Sequence, residues 1–278
     1  MIDRYIFTIT AGRTGTKYLQ QLLINCDGVV AEHEAHPTPN VLLRRLNLGM
    51  HYAPLLKAWT WAKALHLADV EEERNRCHPK AKLPPLSVYA DTSHVLCKSV
   101  IHPARPLLLD ALESIVPGCR IDLVHLTRDR RKTAESLLSI GMSPSLWPNP
   151  LSYGLTPDHP FVKPWDGWME VAQMDRAHDD EFLPGRLALI LWYLRQIDVI
   201  AERAEEAGHT VHRADISDLN DFAACEQFAD RLGLTLTGHA CNVIGRPANT
   251  AEARGMKRKE VTDAQWCEAE RIFEDRPR

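Results

Sequence analysis

Short β-branched or aromatic runs alternate along the chain with longer stretches at helical spacing. Residues 5–10, YIFTIT, form an apolar run that ends at a glycine, which predicts a buried parallel strand. Residues 16–25 follow with Tyr18, Leu19, Leu22 and Leu23 three and four positions apart, the spacing of one helix face. Strand, glycine turn and helix therefore fill the opening of the chain. Val29 and Val30 lead a second strand into the polar segment Glu32-His33-Glu34-Ala35-His36, closed by Pro37.

Residues 40–80 carry a helical pattern of leucines ending in the charged run 71–74, and read as a helical cap or insertion. Further strands are expected at 87–90, 121–127 and 210–214, and helices at 105–115, 130–140, 186–206 (long and amphipathic), 221–232 and 263–274, the last with Thr262 as N-cap. Residues 142–168, rich in Pro, Gly, Trp and Ser, are too long for an ordinary connector and suggest a lid or substrate loop. Its aromatics Trp147, Tyr153, Trp165 and Trp168 could wall an acceptor or pack the loop onto the domain. Alternating helices and apolar strands predict a three-layer α/β/α fold with a central parallel sheet, one domain with insertions.

Composition narrows the function classes. The 278 residues carry 33 Lys+Arg against 37 Asp+Glu, a net charge of −4, which gives no global basic field for a nucleic-acid partner. The seven cysteines are scattered and odd in number, as expected of reduced thiols. The apolar run near the start is too short for a signal peptide, and no stretch approaches the ~20 apolar residues of a membrane helix. A cytoplasmic protein with no integral membrane segment is expected; the oligomeric state is not legible.

Candidate chemistry begins at Thr10-Ala11-Gly12-Arg13-Thr14-Gly15-Thr16-Lys17, where a strand stops and a helix starts. Small residues there let backbone N–H groups converge on an anion, with the helix N-terminus contributing partial positive charge. Arg13, Lys17 and the hydroxyls of Thr14 and Thr16 add donors. A tight strand-to-helix turn would also account for Gly12 and Gly15. The nucleoside-triphosphate loop GxxxxGK[ST] is not matched, because Tyr18 stands where a magnesium-binding hydroxyl would follow the lysine.

A second anion element lies in residues 121–141, where an apolar strand runs into Arg128 and the next helix carries Ser136 eight positions on. This segment resembles the 3′-phosphate-binding element of sulfotransferases that use 3′-phosphoadenosine-5′-phosphosulfate (PAPS). Arg13-Thr14-Gly15-Thr16 is similar to that family's 5′-phosphosulfate loop, and the two segments occur in the family's order. The resemblance implies a P-loop-like α/β fold, no metal, and in-line transfer of the sulfuryl group to a hydroxyl or amine of a small-molecule or carbohydrate acceptor, releasing 3′,5′-adenosine bisphosphate. It places Gly12, Arg13, Thr14, Gly15, Thr16 and Lys17 on the 5′-phosphosulfate, with Arg13 neutralising the leaving phosphate, and Arg128 and Ser136 on the 3′-phosphate. Lys257 and Arg258, in the basic stretch 255–259, stand where relatives close a loop over that phosphate, although the family's Arg-Lys-Gly form is absent.

A general base is expected from the Glu32 to His36 segment, Glu34 first and His36 second, with His94 or Asp91 as competitors. A solvated loop would also explain such a segment. Two other functions stay open: a magnesium-dependent small-molecule kinase, and a nucleotide-binding protein without catalysis.

Overall fold

The computed structural model describes residues 2–33, 70–73, 76, 84–92, 118–141, 165–177, 183–246 and 259–276. Five strands, β1 (Arg4–Ile9), β2 (Val29–Glu32), β3 (Val88–Asp91), β4 (Arg120–Thr127) and β5 (Thr210–Asp215), form one sheet in the order β2-β3-β1-β4-β5. Every pairing is parallel. With its flanking helices this is the α/β class expected from the sequence, consistent with a three-layer arrangement. All six residues of β1 are buried, which is why the run carries no polar alternation.

The helices that follow are α1 (Thr16–Leu23), α2 (Arg130–Ser139), α3 (Met169–Ala177), α4 (Leu183–Glu206), α5 (Phe222–Arg231) and α6 (Asp263–Glu274). The chain divides into two compact units, 1–127 with 203–248 and 128–202 with 249–278, and α4 runs through the division.

In the first unit, Ile6, Val88, Val124 and Leu126 present one face of the sheet to Tyr18, Leu19, Leu22 and Leu23 of α1 and to Cys225, Phe228 and Ala229 of α5. Each fully buried Leu or Phe in such a core contributes about 1.5–3 kcal/mol. At the N-terminal ends of the strands the sheet holds a buried ion cluster. Asp122, fully buried, accepts from Arg4 Nε at 2.7 Å and lies 3.0 Å from Arg120 Nε and 3.2 Å from His212 Nε2. Arg4 also donates to the carbonyl of Leu232, so a buried arginine in the first strand is explained by an aspartate over a hundred residues away.

In the second unit, Trp168 is completely buried and packs its ring 6.3 Å from Trp192 and 6.1 Å from Phe273. Of the two uses open to this aromatic, packing is the one observed, and it stands in a 3-10 turn, Trp165–Trp168, rather than in an open loop. Trp147 and Tyr153 lie outside the described residues, as do the helix expected at 105–115 and most of the 40–80 insertion. Helix α4 departs from the amphipathic expectation: all of Leu187 to Leu194 is buried, Arg195 is half-buried, and the polar face is confined to its later turns. Helix α6 begins at the predicted cap, with Thr262 and Gln265 exchanging side-chain and backbone hydrogen bonds in a capping box.

Candidate functional site

The chain leaves β1 toward β2 on one side of the sheet, and leaves β4 toward β5 on the other. Strands β1 and β4 are neighbours, with Ile9 registered on His125, so their C-terminal ends form a switch point in strand order. Open α/β sheets bind ligands outside the carboxyl ends of their strands at such points. The loop that emerges from β1 here is residues 10–15.

Its backbone is unusual. Gly12 has φ 77°, Arg13 φ 60° and Gly15 φ 100°, so a non-glycine residue is held left-handed beside a glycine that shares the conformation. Arginine in that region is uncommon, and an uncommon conformation persists only where its surroundings impose it. Gly15 is also the N-cap of α1, and no side-chain hydrogen bond caps this helix. A helix entry of this kind directs its first N–H groups outward, the arrangement that binds anions.

Thr10 and Thr14 hold the loop together. Thr10 Oγ1 donates to the carbonyl of Leu126 at 2.9 Å and is hydrogen bonded to Thr14 Oγ1. A hydroxyl has one proton, so with Thr10 donating to Leu126, Thr14 is the donor to Thr10. Thr14 is buried, and its hydroxyl proton is spent inside the loop rather than offered to a ligand. Thr10, which the sequence did not single out, ties the loop to β4.

Lys17 does not point along the loop. Its Nζ donates to Gln20 Oε1 at 2.8 Å, and Gln20 in turn donates to the carbonyl of Ala31 at 3.0 Å, which holds the ammonium toward β2. Thr16 is buried at the first position of α1, and Arg13 is half-buried.

The ends of β2 and β3 carry a second polar group. Glu32 and Asp91 are register partners and both are buried. Tyr89, completely buried, donates to Glu32 Oε2 at 2.6 Å and lies 3.4 Å from Asp91 Oδ2. Burial, with Asp91 and Glu32 beside it, pushes the Tyr89 phenol well above its ordinary value of 10, so it remains a proton donor. Thr8 of β1 donates to the carbonyl of Asp91, and Thr92 to that of Glu32, so Asp91 stands on the strand beside the one that carries the glycine loop and Glu32 one strand further out. The sequence drew attention to Glu34 and His36; both lie outside the described residues, as does His94. Glu32 belongs to the segment from which a base is expected, but burial of a glutamate at a strand exit has no local signal in the sequence. Its partner Tyr89 is 57 residues away.

The second unit holds the other predicted residues. Arg128, half-buried, follows directly on Thr127, and α2 begins after the N-cap Asp129, which accepts from the amide of Lys132. Ser136 is half-buried on that helix. The next described segment of the tail is fastened along the same helix: the Lys259 amide donates to Ser139 Oγ at 2.9 Å, the Val261 amide to Glu135 Oε1 at 3.4 Å, and Arg131 bonds both Asp263 and the carbonyl of Val261. Lys257 and Arg258 lie outside the described residues.

Among the described residues, Cys26, Cys119, Cys225, Cys241 and Cys267 form no disulfide. Among the described residues no helix is long and apolar enough to cross a membrane, and no cluster of three or more metal-ligating side chains occurs. No protein-family model matches the chain, and no curated protein matches it.

Proposed function

We propose that this chain is a PAPS-dependent sulfotransferase acting on a hydroxyl or amine of a small-molecule or carbohydrate acceptor. The observation that carries the reading is the backbone of the glycine loop: left-handed Gly12, Arg13 and Gly15 at the head of an uncapped helix, at the end of the central strand. That geometry suits a terminal anion. Its sequence, Arg13-Thr14-Gly15-Thr16, and the pair Arg128 and Ser136 specify which anion: a nucleotide phosphorylated at both ends.

In the proposed reaction the acceptor heteroatom attacks the donor sulfur in line. The bond from sulfur to the 5′-phosphate oxygen breaks, the bisphosphate leaves with the electron pair, and the acceptor proton passes to a base. Arg13 and the loop amides neutralise the leaving phosphate. Thr14 shapes the loop through Thr10, and Thr16 and Lys17 complete the helix entry. Arg128 and Ser136 take the 3′-phosphate, with paired guanidinium hydrogen bonds setting its orientation. Support for the tail's part, through Lys257 and Arg258, is that Lys259 and Val261, next in sequence, are fastened to the helix of Ser136.

Glu34 remains the first base and His36 the second, because they follow in sequence within four residues of the carboxyl end of β2. Glu34→Gln is expected to lower PAPS turnover on a panel of phenols, sugars and amines by on the order of a hundredfold or more while bisphosphate binding persists. Unchanged turnover in both Glu34→Gln and His36→Ala would discard this assignment. A protein that binds the bisphosphate yet turns over no member of the panel would be the non-catalytic binder.

One observation favours the magnesium-dependent kinase as the second reading. Asp91 ends β3, the strand beside β1, which is where an acidic metal ligand would be required. Against it stands Tyr18 in place of the loop hydroxyl, whose own phenol donates instead to the carbonyl of Leu219 at 2.6 Å.

A further inference from the structure

The segment Asp215 to Leu219, which starts at the last residue of β5, is tied to the end of β4 and to α1 and lies against Gly15 of the candidate anion loop. Thr127 Oγ1 has one proton, shared between Asp215 Oδ2 at 3.1 Å and the carbonyl of Ala214 at 3.3 Å, which fixes the end of β4 at the residue before Arg128. Asp215 Oδ1 accepts from the amide of Ser217 at 2.8 Å and from its hydroxyl at 2.6 Å, so the turn is rigid. On the other side, Tyr18 of α1 donates to the carbonyl of Leu219. Between these two ties the Ile216 side chain lies against Gly15: a Cβ built on Gly15 would meet Ile216 Cγ1 at 2.6 Å and Cδ1 at 2.8 Å.

These contacts have a direction. Ile216 is β-branched and therefore stiff at χ1, and it packs on the core formed by α1 and α5, so it does not yield to movement of the loop. Gly15 carries both the left-handed turn and the entry into α1, and its carbonyl accepts from the amide of Leu19 at 2.9 Å as the first turn of the helix. Whatever fixes Gly15 fixes where the loop's N–H groups point.

We propose that Asp215 to Leu219 is a brace for the anion loop, with Ile216 as a positioning residue that sets Gly15 and Asp215 as the residue that anchors the brace to the end of β4. Its effect on the nucleotide rests on the PAPS reading above; its effect on the loop does not. The brace touches no ligand itself and acts through the orientation of the loop amides.

The test uses the full chain as Ile216→Ala, Ile216→Val and, as a control for general destabilisation, Leu232→Ala, in the same core but beside Arg4 at the opposite end of β1. Amide hydrogen exchange is followed at Leu19 and at Phe7 in the ligand-free protein. The brace predicts that Ile216→Ala speeds exchange at Leu19 about tenfold relative to Phe7, that Ile216→Val restores it, and that Leu232→Ala leaves the ratio unchanged. Calorimetric titration with 3′,5′-adenosine bisphosphate is expected to show affinity weakened about tenfold in Ile216→Ala and retained in Ile216→Val and Leu232→Ala. An unchanged exchange ratio in Ile216→Ala overturns the brace. So does wild-type affinity in Ile216→Ala when the wild type binds. A wild type that does not bind the bisphosphate removes the PAPS reading, and the exchange ratio then decides the brace by itself.

Discussion

Gly15→Ala is expected to destabilise the protein by about 1–3 kcal/mol and to reduce affinity for 3′,5′-adenosine bisphosphate by on the order of a hundredfold. Two costs combine. The backbone stands at φ 100°, where an L side chain is strained, and the new methyl would overlap Ile216 at 2.6 Å. Rotation about χ2 of Ile216 would move Cδ1 but not Cγ1, and χ1 of a β-branched residue packed on the core is stiff, so the overlap is not cheaply relieved. Gly208→Ala separates the two costs: its φ is 87°, but nothing lies within 4 Å of a built Cβ. There the loss should stay near the backbone cost alone, about 1–2 kcal/mol, with bisphosphate affinity unchanged. Urea unfolding and calorimetry on the two variants check this. Equal loss of affinity in both would mean that the methyl at Gly15 acts through global stability rather than through the loop.

The second large effect lies far from the loop. Asp122→Ala is expected to cost about 3–5 kcal/mol in urea unfolding, because it leaves Arg4 buried without its counter-charge. For a domain whose whole stability is about 5–15 kcal/mol, that is a large share. The same cluster sets the acid limit of the fold. Burial opposes the charged form of Asp122, but hydrogen bonds from Arg4, Arg120 and His212 outweigh it and hold the carboxyl below its ordinary value of 3.8. A carboxyl depressed on folding stabilises the native state fully above the unfolded value. That contribution is lost as the pH falls through the lower, folded value. Stability measured against pH should therefore decline more gently in acid for Asp122→Ala than for the wild type; parallel declines would show that the cluster contributes nothing to acid stability.

The sequence made the inner strands legible because β1 and the middle of β4 are buried and so read as continuous apolar runs, whereas β5 has a single buried residue. Residues 5–10 and 121–127 needed no partner to be recognised, and Thr262 was recognisable as a cap from its neighbours alone. The glycine loop was legible for the same reason, since left-handed positions at Gly12 and Gly15 are written in the residue type. What stayed hidden depends on pairing across the chain. Glu32 looked like part of a solvated strand exit until Tyr89 and Asp91 appeared beside it. Thr10 looked like the last residue of a strand, and its tie to Leu126 spans 116 positions. Ile216 looked like an ordinary apolar residue after a strand, and nothing local marks it as the neighbour of Gly15. Trp168 shows the converse limit: in a Pro- and Gly-rich stretch its sequence is compatible with a substrate wall and with packing alike, and its partners Trp192 and Phe273 are too distant in sequence to decide between them.

On the proposed PAPS reading, the chain binds a nucleotide phosphorylated at both its 3′ and 5′ ends and needs no metal to do so. The most direct measurement is calorimetric titration of metal-free protein with 3′,5′-adenosine bisphosphate, and with ATP plus magnesium in parallel, on the wild type and on Arg128→Ala. On that reading the wild type binds the bisphosphate tightly, and Arg128→Ala weakens binding by on the order of a hundredfold or more, as expected for loss of a charge-assisted paired contact. Binding of ATP with magnesium alone, indifferent to Arg128, would contradict it and make Asp91 the first residue to examine as a metal ligand.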